Sequence, residues 1–98
     1  MIIGSLKELN KGEERAAISP ETCIKLKKMG FTVLIEKDLG VSSSFSNDAY
    51  SKAGAEIKEN QLEIIKTIDI LLQVTTIPNI SVIQNSKSDL IIMGIFNP

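Results

Sequence analysis

The chain contains no histidine, no tryptophan and only one cysteine, Cys23, among its 98 residues. Catalysis by a Ser–His or Cys–His pair is therefore excluded within the chain, because each pair needs an imidazole. One cysteine cannot form a disulfide within the chain, and without histidine it makes no zinc site. We expect no bound metal, and such cysteine usage is typical of a reducing compartment.

A surplus of charge of either sign is also absent. The 11 basic and 12 acidic residues leave a net charge of −1. Without a basic surplus the chain has little to neutralise phosphates, so nucleic acid is not expected as a partner. The longest apolar runs, at residues 68–72 and 90–93, fall far short of the roughly 20 residues of a membrane helix, and the first residues do not resemble a signal peptide. We therefore expect no direct insertion into a membrane.

The sequence alternates between short apolar runs and segments with helical spacing. The apolar runs predict five strands, at residues 1–5, 31–35, 55–58, 69–74 and 90–96. Helices are predicted between them, each after a capping side chain: Ser19, Ser46, Asn60 and Asn79. This alternation favours one α/β domain, residues 1–98, with a parallel five-stranded sheet and helices on both faces. A flavodoxin-like strand order, 2-1-3-4-5, is the preferred topology.

This plan lacks its last helix. A five-stranded doubly wound sheet normally carries a further helix after its fifth strand, but only two residues follow residue 96. Part of one sheet face, near the first and fifth strands, should therefore be bare. Covering a helix-sized patch would contribute several kcal/mol at roughly 25 cal/mol per Å², out of a net stability of about 5–15 kcal/mol. We therefore expect the chain to be a piece of something larger or to associate with itself.

Candidate functional residues lie where strands end, because ligands of open parallel sheets bind beyond the carboxyl ends of the strands. That edge collects the following segments: residues 7–15 after the first strand, Glu36 and Lys37 after the second, residues 73–76 after the fourth, and Asn97 after the fifth. These segments are distant in sequence, but the predicted sheet would bring them to one rim.

Each candidate has a functional and a purely structural interpretation. Arg15 is the only arginine, so its planar guanidinium either clamps a carboxylate or phosphate or pairs with a glutamate on the surface. Gln73 either donates a hydrogen bond to a ligand or marks the point where its strand emerges into water. Cys23 lies among apolar helix positions, where packing is the default. The chain has no G-x-G-x-x-G motif, and the serine-rich residues 40–44 are interpreted as a surface loop.

Five segments, taken in order, resemble one family. Residues 2–8 (IIGSLKE) and 12–20 (GEERAAISP) resemble its opening pattern, IGxPKE…GExRVAxTP. Residues 31–36 (FTVLIE), 45–57 (FSNDAYSKAGAEI) and 69–74 (DILLQV) resemble its second strand, its FSDxAYxxAGAEI segment and its ADLVLKV strand. The family is that of the N-terminal domain of alanine dehydrogenases and NAD(P) transhydrogenase alpha subunits, and the ordered set covers nearly the whole chain.

The resemblance also distinguishes the branches of the family. In alanine dehydrogenases the fourth strand ends in KVKEP, whose second lysine holds and activates the keto acid, and a catalytic histidine follows the fifth strand. Thr75 stands at that lysine, Asn97 at about that histidine and Gln73 at the first lysine, whereas Arg15, the family's carboxylate clamp, is retained. The loss of both proton-transfer groups favours the transhydrogenase branch, which lacks this pair. The alternatives are a divergent alanine dehydrogenase and a non-catalytic interaction domain of the same fold.

The resemblance implies that the chain is the N-terminal part of an NAD(P) transhydrogenase alpha subunit, which transfers hydride between NAD(H) and NADP(H) coupled to proton translocation. A Rossmann domain that follows in sequence would hold NAD(H), so no cofactor is expected on these 98 residues and the isolated piece should be inactive. The implied partners are the rest of the alpha subunit, a beta subunit and a second copy, on the cytoplasmic side of the inner membrane. Arg15, Gln73, Thr75 and Asn97 would line the cleft, with no residue assigned as catalytic.

Overall fold

Secondary structure in the computed structural model follows the predicted alternation. The structure describes residues 1–7, 16–41, 44–73, 87 and 89–94, and within them the order is β1 (Ile2–Ser5), α1 (Pro20–Lys28), β2 (Thr32–Glu36), α2 (Asn47–Lys52), β3 (Glu56–Lys58), α3 (Gln61–Thr67), β4 (Ile70–Gln73) and β5 (Ile91–Gly94). All five predicted strands and the first three predicted helices are confirmed. The helix predicted after Asn79 lies outside the described residues. The longest described helix has nine residues, and none of the three could cross a membrane.

The helices begin where the capping residues predict. The side chains of Ser19, Ser46 and Asn60 each accept a hydrogen bond from a backbone N–H of the first turn, at 3.1, 3.1 and 2.8 Å. These bonds satisfy amides that have no acceptor within the helix. After α1 the chain turns at Gly30, whose φ of 96° lies in the left-handed region that glycine adopts without strain. The predicted α1 terminator is therefore confirmed.

The sheet is parallel throughout, which confirms the predicted fold class, but its strand order is β3-β2-β1-β4-β5. The flavodoxin-like order 2-1-3-4-5 is therefore wrong. A strand inside a parallel sheet must be apolar on both faces. β4 meets that condition and lies beside β1, whereas β3 is three residues long and exposes Glu56, which suits an edge.

Helices cover both faces of the sheet, as predicted. One core lies under α1 and α2 and contains Ile3, Ile18, Cys23, Val33, Ile35, Tyr50 and Ala55. The other lies under α3 and contains Leu6, Leu34, Ile64, Ile65, Ile68 and Leu71. α3 sits so close to β1 that a Cβ on Gly4 would lie 2.5 Å from the Cγ2 atom of Ile68. The absence of a side chain at residue 4 therefore sets the distance between this helix and the sheet.

Apolar exposure concentrates at β5. Ile91, Ile92 and Met93 are 52%, 42% and 52% exposed, whereas Ile3 in β1 is 4% exposed. The sequence predicts a bare face near the first and fifth strands. The exposed apolar surface lies at β5, and β1 is buried because α1 and α3 cover its two faces.

Candidate functional site

The carboxyl ends of three neighbouring strands form the candidate site. β1 lies between β2 and β4, and the strand order reverses between β1 and β4. Such a reversal is the topological switch point at which open α/β sheets bind ligands. The residues at this edge are Ser5, Leu6 and Lys7 after β1, Glu36 at the end of β2, and Gln73 at the end of β4.

Gln73 is buried at this edge and is 3% exposed. Its Oε1 atom accepts a 2.8 Å hydrogen bond from the backbone N–H of Leu6, and Oγ of Ser5 lies 3.3 Å from the same oxygen. The Ser5 hydroxyl also lies 2.7 Å from the carbonyl oxygen of Leu72. The interpretation that β4 emerges into water at Gln73 is therefore wrong. Its carboxamide instead joins the end of β4 to the first residue beyond β1.

Glu36 makes the corresponding connection on the other side of β1. Its side chain is at the end of β2, and the residue is only 9% exposed. The Oε1 atom accepts a 2.7 Å bond from the backbone N–H of Lys7 and a 2.9 Å bond from Nε2 of Gln61, the first residue of α3. Bonds to an ionised acceptor are stronger than neutral ones. One carboxylate thus connects the exit of β1, the end of β2 and the start of α3.

Tyr50 anchors the chain just before α1. Its hydroxyl donates a 2.6 Å hydrogen bond to the main-chain oxygen of Ile18, and Tyr50 is fully buried. Burial, with a smaller contribution from the charge of Cys23, raises the pKa of Tyr50 to about 12. The ring also meets that of Phe45 edge to face, with centroids 6.2 Å apart. Tyr50 therefore stays a neutral donor in this position at physiological pH.

Asp69 organises the opposite edge of the sheet, where the strands begin. Its Oδ2 atom accepts a 2.8 Å bond from the backbone N–H of Ile2, and its Oδ1 atom a 3.1 Å bond from Nζ of Lys87. The bond from Ile2, followed by that from Lys87, lowers the pKa of Asp69. Because ligands bind at the other edge of such sheets, this ion pair has a structural role.

The structure places only part of the predicted site. Gln73 lies at the switch point, whereas Arg15, Thr75 and Asn97 lie outside the described residues, so their positions on the rim stay predictions. Cys23 is buried with its Sγ atom 3.6 Å from the carbonyl oxygen of Ala53, and its pKa is raised by burial, which confirms that it packs in the core. Among the described residues, no group of three metal-ligating side chains could hold an ion.

Sequence reasoning missed the roles of Glu36, Ser5 and Tyr50. It named Glu36 as a rim position but did not predict that its carboxylate is bonded within the protein. One signal was available, because Glu36 and Gln73 are each the polar residue that ends an apolar strand. Tyr50 gave a weaker signal as the only tyrosine of the chain.

Comparisons with known proteins agree with this architecture. Residues 4–98 match the family described as alanine dehydrogenase/PNT, N-terminal domain. The chain is 37% identical over 101 residues to the first polypeptide of the NAD(P) transhydrogenase alpha subunit of Rickettsia prowazekii, covering all of this chain and 26% of that protein. It is 39% identical over 94 residues to alanine dehydrogenase 1 of Staphylococcus aureus, covering 96% and 24% of the two chains.

Solved structures show the same relationship. The transhydrogenase from Sinorhizobium meliloti superposes with a TM-score of 0.85 at 31% identity, over 98% of this chain and 28% of that one. An L-alanine dehydrogenase shares the fold, with a TM-score of 0.81 at 24% identity, over 96% and 26% of the two chains. The chain thus spans about a quarter of the length of the relatives it matches. It belongs to the family of alanine dehydrogenase/PNT N-terminal domains.

Proposed function

We propose that this chain is the N-terminal part of an NAD(P) transhydrogenase alpha subunit, in a protein that transfers hydride between NAD(H) and NADP(H) coupled to proton translocation. The observation that carries the proposal is the neutral, buried side chain of Gln73 at the switch point. Reduction of a keto acid needs a group that donates a proton, whereas exchange of hydride between two nicotinamides does not. Thr75 and Asn97 likewise have side chains that do not titrate near neutral pH.

A divergent alanine dehydrogenase is the second candidate. It is favoured by the 39% identity to the Staphylococcus aureus enzyme and by Arg15, the candidate carboxylate clamp. Under this alternative, Arg15 would hold the carboxylate of the keto acid with a two-pronged grip that lysine cannot reproduce.

The two candidates differ in their substrates. The experiment uses the full-length protein that contains this chain, with its partner subunits, and follows two reactions: hydride transfer from NADH to a thio analogue of NADP+, and NAD+ reduction by alanine. We expect the first reaction and not the second. Alanine-dependent reduction that is lost in Arg15→Lys would overturn the proposal in favour of the dehydrogenase.

The described residues of this chain do not fit a dinucleotide. A dinucleotide site needs a glycine-rich turn after the first strand whose backbone N–H groups are free to meet the pyrophosphate. Here the N–H groups of Leu6 and Lys7 are bonded to Gln73 and Glu36, and the sequence has no G-x-G-x-x-G. We therefore assign NAD(H) and NADP(H) to other parts of the longer protein and derive no step of the reaction through this edge.

The proposal gives the isolated chain a simple behaviour. Titration of the 98-residue chain with NADH, followed by nicotinamide fluorescence, should show weak binding or none, and the chain should transfer no hydride. Binding in the micromolar range would overturn the assignment of the cofactor to other polypeptide.

The proposed partners are the rest of the alpha subunit, a beta subunit and a second copy of the chain, in a complex on the cytoplasmic side of the inner membrane. Two observations support a larger assembly: the chain spans about a quarter of its relatives, and β5 exposes three large apolar side chains. In this assembly Arg15, Gln73, Thr75 and Asn97 would line one wall of the cleft. Sedimentation of the chain tests the homodimer, since a monomer at all concentrations would contradict it.

A further inference from the structure

Two successive backbone amides leave β1 and are both bonded to side chains of the neighbouring strands. The N–H of Leu6 donates to Gln73, the last residue of β4, at 2.8 Å. The N–H of Lys7 donates to Glu36, the last residue of β2, at 2.7 Å. Both acceptors are largely buried, at 3% and 9% exposure. The exit of β1 is therefore held from both sides by long-range bonds.

In doubly wound sheets of this strand order, this is the place where ligands are bound. The backbone amides after the first strand meet a phosphate, and a carboxylate at the end of the second strand meets a ribose hydroxyl. Glu36 occupies the second of these positions, but its carboxylate is turned to the protein's own Lys7 amide and to Gln61. The amide that would meet an external anion already has an internal one.

We propose that Glu36 acts as a built-in anion, which fills the ligand position between β1 and β2 and excludes phosphate-bearing ligands from this sheet. A second negative charge at the same amide would meet repulsion from the largely buried carboxylate, where screening by water is weak. Glu36 is thus a specificity-determining residue: it keeps the β1 exit closed to nucleotides while it fixes the path of the chain beyond β1.

This inference deepens the proposed function, because it explains why a member of the family would leave its nucleotide to other polypeptide. Its failure can be told apart from that of the proposed function. The test of Glu36 uses small anions and the 98-residue chain, whereas the proposed function is tested by turnover of the full-length protein.

The experiment is chemical rescue of Glu36→Ala, read at the backbone amide of Lys7. Resonances of ¹⁵N-labelled chain are followed while sodium acetate or inorganic phosphate is added, with sodium chloride at equal ionic strength as the reference. In Glu36→Ala we expect hydrogen exchange of the Lys7 amide to rise about tenfold or more, since a bond to a charged acceptor is lost. Acetate and phosphate, but not chloride, should shift the Lys7 resonance and restore its protection.

Two matched variants define the specificity of the effect. In Glu36→Gln the amide oxygen still accepts from Lys7, so we expect an upfield shift of that proton, retained protection and no response to acetate. Glu59→Ala removes an exposed carboxylate that pairs with Lys37 at 3.3 Å, and should leave the Lys7 amide unchanged.

The proposal is overturned if the wild-type Lys7 amide responds to phosphate as strongly as that of Glu36→Ala, because the position would then be open. It is also overturned if neither anion protects Lys7 in Glu36→Ala. Should Glu36→Ala unfold in chloride, acetate or phosphate is expected to refold it. Failure to refold, together with an unshifted Lys7 amide in Glu36→Gln, would equally reject the built-in anion.

Discussion

The Tyr50 hydroxyl donates a 2.6 Å hydrogen bond to the main-chain carbonyl of Ile18, across 32 residues of sequence. Ile18 lies just before the N-cap of α1, and Tyr50 lies in α2, so the bond ties the entry to one helix to the body of the next. Because the chain has no tryptophan and no other tyrosine, the near-ultraviolet signal of Tyr50 reports on this one contact.

Tyr50→Phe should lower the free energy of unfolding by about 1–3 kcal/mol, because the carbonyl of Ile18 loses a buried donor. Urea denaturation followed by circular dichroism measures the change. Ser51→Ala, an exposed substitution in the same helix, is the matched control and should change stability by less than about 0.5 kcal/mol. Equal stabilities of Tyr50→Phe and wild type would contradict a contribution of this bond.

Ionisation of Tyr50 should be delayed until strongly alkaline pH. Its pKa is raised from the ordinary value of 10.0 to about 12, mainly by burial. The stability that its neutral hydroxyl contributes is fully present below about pH 10 and is lost as the pH rises through about 12. Tyrosinate absorbance measures this titration, with the urea-unfolded chain as the reference near 10. A native titration that coincides with the unfolded one would show that the hydroxyl is open to water.

Asp69 should contribute acid-dependent stability. Its pKa is lowered from 3.8, first by the bond from Ile2 and then by the bond from Lys87. The contribution is present above pH 3.8 and is lost as the pH falls through the lowered native pKa. In Asp69→Asn the urea midpoint should therefore fall less steeply in acid than in wild type, whereas Lys87→Gln should keep most of the dependence. Identical slopes in Asp69→Asn and wild type would contradict this role.

Gln73→Leu should destabilise the chain by about 1–3 kcal/mol, because the buried N–H of Leu6 loses its acceptor. The measurement is urea denaturation, supported by hydrogen exchange at Leu6, which should become faster. Glu56→Gln, at an exposed position in β3, is the control and should be nearly neutral. Unchanged exchange at Leu6 would mean that Gln73 does not hold the end of β1.

Local features of the fold were predictable from residues close together in the chain. Ser19 and Gly30 mark the limits of α1 because a cap and a left-handed turn depend only on the neighbouring backbone. The burial of Cys23 followed from its place among apolar helix positions. The family was recognisable for a similar reason, since its segments occur in the same order along the chain.

The candidate site was only partly predictable. Gln73 was identified from the strand that it ends, but its partner, the Leu6 amide, is 67 residues away in sequence. Glu36 and Lys7 are 29 residues apart, and nothing in their local sequence indicates that one accepts from the other. Such bonds depend on which strands are neighbours, and the predicted strand order was wrong.

The sequence by itself determined the strands and described helices, the parallel α/β class and the family, because periodicity, capping and motif order are local or linear properties. The tertiary structure alone decided the order of the strands, and with it the groups that surround the exit of β1. Strand order depends on how apolar faces are covered in three dimensions, so β4, apolar on both sides, lies beside β1 while the short, polar β3 takes the edge.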